Sequence, residues 1–197
     1  MIRFGFFLLI IAILSNCQAT KNNFTKEDFY KFDNYFSILE WSDTLDTRKT
    51  ELTLGQLHEV GSPIISDNIF YTVIDTSKLE YKRWDERLYA EGKMELSNTH
   101  TAYFVTRQMD DITYDRTTLI LVFNKNHQFV QDLIFSEFIG YEGFITETES
   151  KLFKSENGYW QIESEKSESY FNPEKEEQIE KMEKWSWQFS VNHWKKQ

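Results

Sequence analysis

The sequence predicts an α+β fold: mainly an antiparallel β meander (a sheet, a sandwich or a partial barrel), with an N-terminal helix and a short C-terminal helix. Three observations carry this expectation. After Gly92, strand-like runs alternate with short polar turns and no helical pattern intervenes. Thr25-Lys26-Glu27-Asp28 has the form of a capped helix start, and Asn172-Pro173 has the form of a second one. The chain holds 17 Phe, 10 Tyr and 6 Trp against only 7 Gly and 2 Pro, so aromatic rings supply the core and breakers are scarce.

The elements follow in order. Thr25 is the expected N-cap, with Asp28 at the third helical position and Phe24 and Phe29 at the staple positions. Phe29, Phe32, Phe36 and Leu39 then mark one helical face, read as facing the core. From Glu40 to Asn68 the signals weaken; Thr53–Leu57 is a short strand candidate, and Gly61-Ser62-Pro63 punctuates a loop. Ile69-Phe70-Tyr71-Thr72-Val73-Ile74 reads as a strand by composition. Leu79 to Tyr89 fits either period.

Beyond Gly92, Lys93–Ser97 and Thr101–Arg107 flank an Asn98-Thr99 turn. Thr117–Phe123 and Phe129–Phe135 flank Asn124–His127. Leu119 to Phe123 is apolar at both parities and therefore belongs centrally in the sheet. Gly143–Phe153 and Tyr159–Lys166 flank Ser155-Glu156-Asn157-Gly158. A three-residue loop with Gly158 left-handed sets Leu152 opposite Ile162, Lys151 opposite Glu163 and Glu149 opposite Glu165. The last is a like-charge pair that calls for exposure beside Lys166, or for a bound cation. Asn172-Pro173 opens the second expected helix, with Glu177–Lys181 and Glu180–Lys184 as i,i+4 pairs. Trp185, Trp187, Phe189 and Val191 alternate as a closing strand, a continued helix being the rival.

The first 23 residues are of another kind. Met1-Ile2-Arg3 is a short positive start, and Phe4 to Leu14 is apolar apart from Gly5. Eleven residues at 1.5 Å rise cover about 16 Å of a roughly 30 Å hydrocarbon core, too short to span. The layout is that of an export signal. It ends at Cys17, the single cysteine of the chain, which has no internal disulfide partner. Leu14-Ser15-Asn16-Cys17 resembles the lipobox of bacterial lipoproteins, with Asn16 departing from the usual small residue before the cysteine. The resemblance implies cleavage between Asn16 and Cys17 and lipid attachment (palmitate or related acyl chains) at Cys17. Residues 1–16 are then signal peptide, 17–23 a lipidated tether, and 24–197 one globular domain. A cut after Ala19, releasing a soluble secreted or periplasmic protein, is the alternative. The Gly92-Lys93-Met94-Glu95-Leu96-Ser97-Asn98 run and the meander after it are similar to small uncharacterised envelope lipoproteins of Bacteroidetes-type bacteria. That similarity implies fold and an envelope location, but no activity; in the enterobacterial sorting pattern, the lack of aspartate after Cys17 implies the outer membrane.

Net charge is −10, and one unit more negative without Arg3. Such a surface repels nucleic acid phosphates and anionic headgroups, so no nucleic acid partner is expected and membrane attachment falls to the lipid. No nucleotide-binding or nucleophile-elbow motif is present, and no cofactor or metal is expected. His58, His100, His127 and His193 lie apart without ligand spacing; His127 reads as a turn residue. Asp110, Asp111 and Asp115 lack the spacing of a calcium loop. Trp160, Trp185, Trp187 and Trp194 form the candidate binding surface, with core packing as the plain reading. Three functions compete, one of them a purely structural envelope component with neither a binding patch nor a catalytic pocket. Another is a non-catalytic, membrane-anchored module for a protein or glycan. The third is an envelope hydrolase, which requires at least two of His100, Asp110, Asp111, Glu142 and Glu147 to converge in a pocket.

Overall fold

The computed structural model describes residues 24–39, 44–46, 62–74, 86–109, 114–141, 143–190 and 193–197. The expected strand at Thr53–Leu57, the ambiguous stretch up to residue 85, and Cys17 with its flanks lie outside them.

Helix α1 (Lys26–Asp33) forms as its cap predicts. The Asp28 N–H donates to Thr25 Oγ1 at 3.2 Å, and the Thr25 N–H donates back to Asp28 Oδ2 at 3.1 Å. Phe29 and Phe32 are buried on its inner face, and Phe36 is buried just beyond its end.

Two short strands, β1 (Thr44–Asp46) and β2 (Ile64–Ile65), precede helix α2 (Asp67–Val73). This helix occupies the segment expected to be a strand. Its β-branched and aromatic residues favour a strand locally, but Phe70, Val73 and Ile74 sit at i, i+3 and i+4 and are all buried. Packing that face against α1 and the sheet outweighs the propensity, a term well under 1 kcal/mol per residue.

Strands β3 (Glu86–Ser97), β4 (His100–Met109), β5 (Tyr114–Asn124), β6 (Phe129–Tyr141), β7 (Phe144–Lys154), β8 (Trp160–Asn172), β9 (Glu177–Ser190) and β10 (His193–Lys196) follow as a meander. The order is β10-β9-β8-β7-β6-β5-β4-β3-β2, with β1 paired to β7; all these pairs are antiparallel, and the sheet is not closed. Gly158 adopts φ 77°, and Leu152↔Ile162, Lys151↔Glu163 and Glu149↔Glu165 hold as expected.

The second helix therefore lies at α2, not at the C-terminus. Pro173–Glu176 is a four-residue turn joining β8 to β9. Asn172 does cap, but its Oδ1 accepts from the Glu174 and Lys175 N–H groups of that turn. Glu176 at φ 53° then sends the chain back along β8 in continuous register from Asn172↔Glu177 to Gln161↔Gln188. On a strand, Glu177 and Lys181 or Glu180 and Lys184 are too far apart to pair as they would on a helix. The alternation at Trp185, Trp187 and Phe189 is strand, as expected.

The core lies on both sides of β3–β6. Leu119, Leu121 and Phe123 join Tyr103 and Val105 under the two helices, while Ile120 and Val122 point the other way with Ala102, Phe104 and Phe135. All five residues of Leu119–Phe123 are at most 1% exposed, the central placement their composition predicts. The second face is covered by Leu152, Ile162, Phe189 and Trp194 of β7–β10. Strand β6 allows this fold-over. Its pairing with β5 shifts register between Ser136 and Ile134, and only Glu137–Tyr141 pair with β7. Past the shift β7 departs from β6 and takes β1 as its neighbour, with Leu45 opposite Leu152. The returning sheet is tied down where the Trp194 N–H donates to Gln131 Oε1 at 3.0 Å.

Candidate functional site

The β7–β9 ladder brings charges into rows. Glu149, Glu165 and Lys184 are successive cross-strand partners, and Lys151, Glu163 and Ser186 form the next row on the same face. Together with Gln197 these residues line a cavity of about 520 Å³, with Ser150, Ser164 and Trp185 completing the lining. Gln197 is held there by its N–H, which donates to the Ser186 carbonyl at 2.9 Å.

The Glu149/Glu165 pair is thereby explained. Lys184 Nζ stands 2.9 Å from Glu165 Oε2 and supplies the positive charge that the register demands. Lys166, the residue expected to do so, alternates onto the opposite face, where it pairs with Glu168 at 2.7 Å. That hydrogen bond raises the Lys166 pKa above the ordinary lysine value and lowers that of Glu168. Among the described residues no group of three His, Cys, Asp or Glu side chains is arranged to hold a metal.

The four tryptophans divide. Trp194 is 2% exposed and stacks edge-on against Phe189 at 5.4 Å, so it belongs to the core and not to a surface. Trp160 and Trp187 are partly exposed but pack against the same cluster. Trp185 alone of the four lines the cavity, with Lys196 Nζ 5.2 Å from its ring centroid. Trp185 shares a row with Trp187 and Phe189, on the face turned to the second core and opposite the charged rows.

Of the candidate catalytic groups, Asp110, Asp111 and Glu142 lie outside the described residues. His100 is buried at the start of β4 against Phe189, and burial pulls its pKa below the ordinary histidine value. Glu147 pairs with Phe138 and Ser167 on β7, three strands away. The two do not meet. Asp115 is buried in β5. His193 is exposed, and His127 occupies the expected turn at φ 65° with its ring stacked on Phe29 at 4.4 Å.

One polar cluster has no counterpart in the sequence reading. Glu91 sits at the register shift between Ala90 and Gly92, where it accepts from Ser62 Oγ at 3.3 Å. Burial pushes its carboxyl pKa up, opposed by hydrogen bonds from Thr106 and Ser62 and by the charge of Arg116. Arg116 is in turn lowered by burial and held up by Glu91. Thr106 and Thr118 bond each other at 2.9 Å beside them. Gly92, which a bulge in a long strand favours, is the one signal that points there.

Comparison with models of protein families, with curated proteins and with solved structures returned no match.

Proposed function

We propose that this chain is a lipid-anchored lipoprotein of a bacterial envelope, acting as a non-catalytic binding module for a protein or glycan partner. Cys17, the lone cysteine directly behind an eleven-residue apolar run, carries the anchor. The charged cavity on β7–β9 supports the recognition role. It is open and lined by both signs of charge, from Glu149, Glu163 and Glu165 against Lys151 and Lys184. A ligand that presents hydroxyls or alternating charge matches that lining.

The anchor is tested by fatty-acid labelling of the wild type against Cys17→Ala. Label on the wild type alone supports it; label on both proteins, or on neither, sinks it. Recognition is tested by screening the full chain against a panel of envelope glycans and basic or acidic peptides, then repeating with Lys151→Glu and Lys184→Glu. A ligand retained undiminished by both variants places binding elsewhere.

A further inference from the structure

We infer that the exposed edge of β9 pairs with the same edge of a second copy of this chain, in one defined antiparallel register centred on Met182. This goes beyond the anchor and the cavity and depends on neither.

β9 is fourteen residues long, but β10 covers only its last part, Trp187 to Ser190, with Gln197 reaching Ser186. Among the described residues no backbone pairs with the outer side of Gln178–Lys184. The orientation of that edge follows from one bond. The Ser186 carbonyl points outward, toward Gln197, and the N–H and C=O of a strand residue point the same way, alternating along the strand. Pairing of β9 with β8 is continuous without a bulge, so Gln178, Glu180, Met182 and Lys184 also present N–H and C=O outward. The odd residues between them bond to β8.

Exposed edges are ordinarily blunted by charge. Here the charges select a partner. In a two-fold pairing centred on Met182, Glu180 meets Lys184 of the second copy, and Lys181 meets its Glu183. Ile179 meets Trp185, and Met182, 63% exposed, meets itself. Each relation but the last occurs twice. The neighbouring two-fold registers fail: centring on Glu180, Lys181, Glu183 or Lys184 sets two like charges face to face on the axis. The Met182 register also has the right hydrogen-bond parity, since Glu180, Met182 and Lys184 are all outward-facing. They provide about six backbone hydrogen bonds across the dyad. Lys184, 70% exposed on its own chain, then stands between Glu165 of that chain and Glu180 of the other.

The test uses the full chain, in detergent where the lipid is present. Sedimentation equilibrium is expected to show a reversible monomer–dimer equilibrium. Met182→Cys, treated with a short bismaleimide, is expected to give a covalent dimer well above that of the parent, whose sole cysteine is Cys17. Met182→Pro removes an outward N–H without touching a β8 bond, so it abolishes the dimer while leaving the far-UV circular dichroism and melting of the monomer intact. Lys184→Glu weakens association about tenfold, and adding Glu180→Lys to it restores most of the affinity, because both pairs across the dyad are again opposite in sign, while the loss of Lys184 beside Glu165 is common to the two variants. A monomer at all concentrations up to about 1 mM overturns the inference. So does a dimer that survives Met182→Pro, or a double swap that does no better than Lys184→Glu.

Discussion

Asp33 joins α1 to the sheet through one oxygen. Its Oδ1 accepts from the Tyr103 hydroxyl and from Lys93 Nζ, each at 2.6 Å, and Lys93 also lies 3.4 Å from the Asp33 carbonyl. Lys93 and Asp33 side chains are only 19% and 26% exposed, so Asp33→Ala leaves a phenol and an ammonium without their acceptor in a poorly solvated place. Hydrogen bonds to a charged group are worth about 1.5–3 kcal/mol each, and sharing one oxygen puts the pair near the lower end, about 3 kcal/mol. Removing a carboxylate from the last turn of a helix returns about 0.5 kcal/mol. The net expectation is a loss of about 2.5 kcal/mol, or about 5–10 °C in melting temperature for a domain of this size. Tyr103→Phe alone costs about 1 kcal/mol, and the double variant less than the sum, with a coupling of about 1 kcal/mol. Urea unfolding of the four proteins at pH 7 provides the cycle. If Asp33→Ala lies within about 0.5 kcal/mol of wild type, or the coupling vanishes, the lock does not hold the helix.

Three further outcomes follow from particular residues. Burial and then the Asp33 acceptor raise the Tyr103 pKa well above the ordinary value near 10. Its contribution is present in full below about pH 10 and falls away as pH rises above it, so unfolding series from pH 9 to 11 should decline more steeply for wild type than for Tyr103→Phe; parallel declines would count against the assignment. A Cβ on Gly92 would lie 2.4 Å from Leu39 Cγ, whereas Gly158 at φ 77° faces open space. Gly92→Ala should therefore cost more, about 2–3 kcal/mol against about 1 for Gly158→Ala, and Leu39→Ala should recover part of the former alone by thermal melting. Trp194→Ala should lose about 3–5 kcal/mol as a core truncation while Trp185→Ala loses under about 1, measured by urea unfolding; equal losses would contradict the division of the tryptophans.

What was legible in the sequence was what local chemistry determines. The Thr25 cap needs four residues, the Gly158 turn needs three, and each fixed its element and its register unaided. Leu119–Phe123 declared a central strand because both parities are apolar. The failures came where distant packing decides. Ile69–Ile74 carries strand-forming residues, yet its buried positions are set by α1 and the sheet, which lie far off in sequence. Asn172-Pro173 offers the same chemistry to a helix N-terminus and to a tight turn, and only the long β8–β9 register chooses between them. The charged cavity is half visible: the Glu149/Glu165 conflict is readable, but its answer, Lys184, sits on a strand whose i,i+4 charge pairs have the form of a helix. Glu91 and Arg116 were barely legible: Gly92 marks a bulge beside Glu91, but a bulge does not say that a charge points inward.

The outer half of the β8–β9 hairpin has little apolar cover. Beyond Ser164 and Trp185 its paired residues are mostly charged or hydroxylic, and Glu180 to Lys184 are exposed on both faces. Across the two strands the charge contact is Lys184 with Glu165, with Lys181 over the Tyr170 ring at 5.4 Å; Lys166 and Glu168 pair along β8 itself. Exposed pairs of this kind contribute only about 0–1 kcal/mol each. The backbone ladder to β8 must therefore carry the arm, and only every second amide of β9 takes part in it. Residue-resolved hydrogen exchange on dilute protein should show this as an alternation. The amides of Ile179, Lys181 and Glu183 bond to β8 and exchange slowly, while those of Gln178, Glu180, Met182 and Lys184 face solvent and exchange at nearly the unprotected rate. Raising the concentration should protect the second set and leave the first unchanged, because only the outward amides gain partners when two edges meet. Uniform protection in the dilute protein would mean that another segment already covers the edge. Uniform exposure would mean that the arm does not hold its pairing with β8.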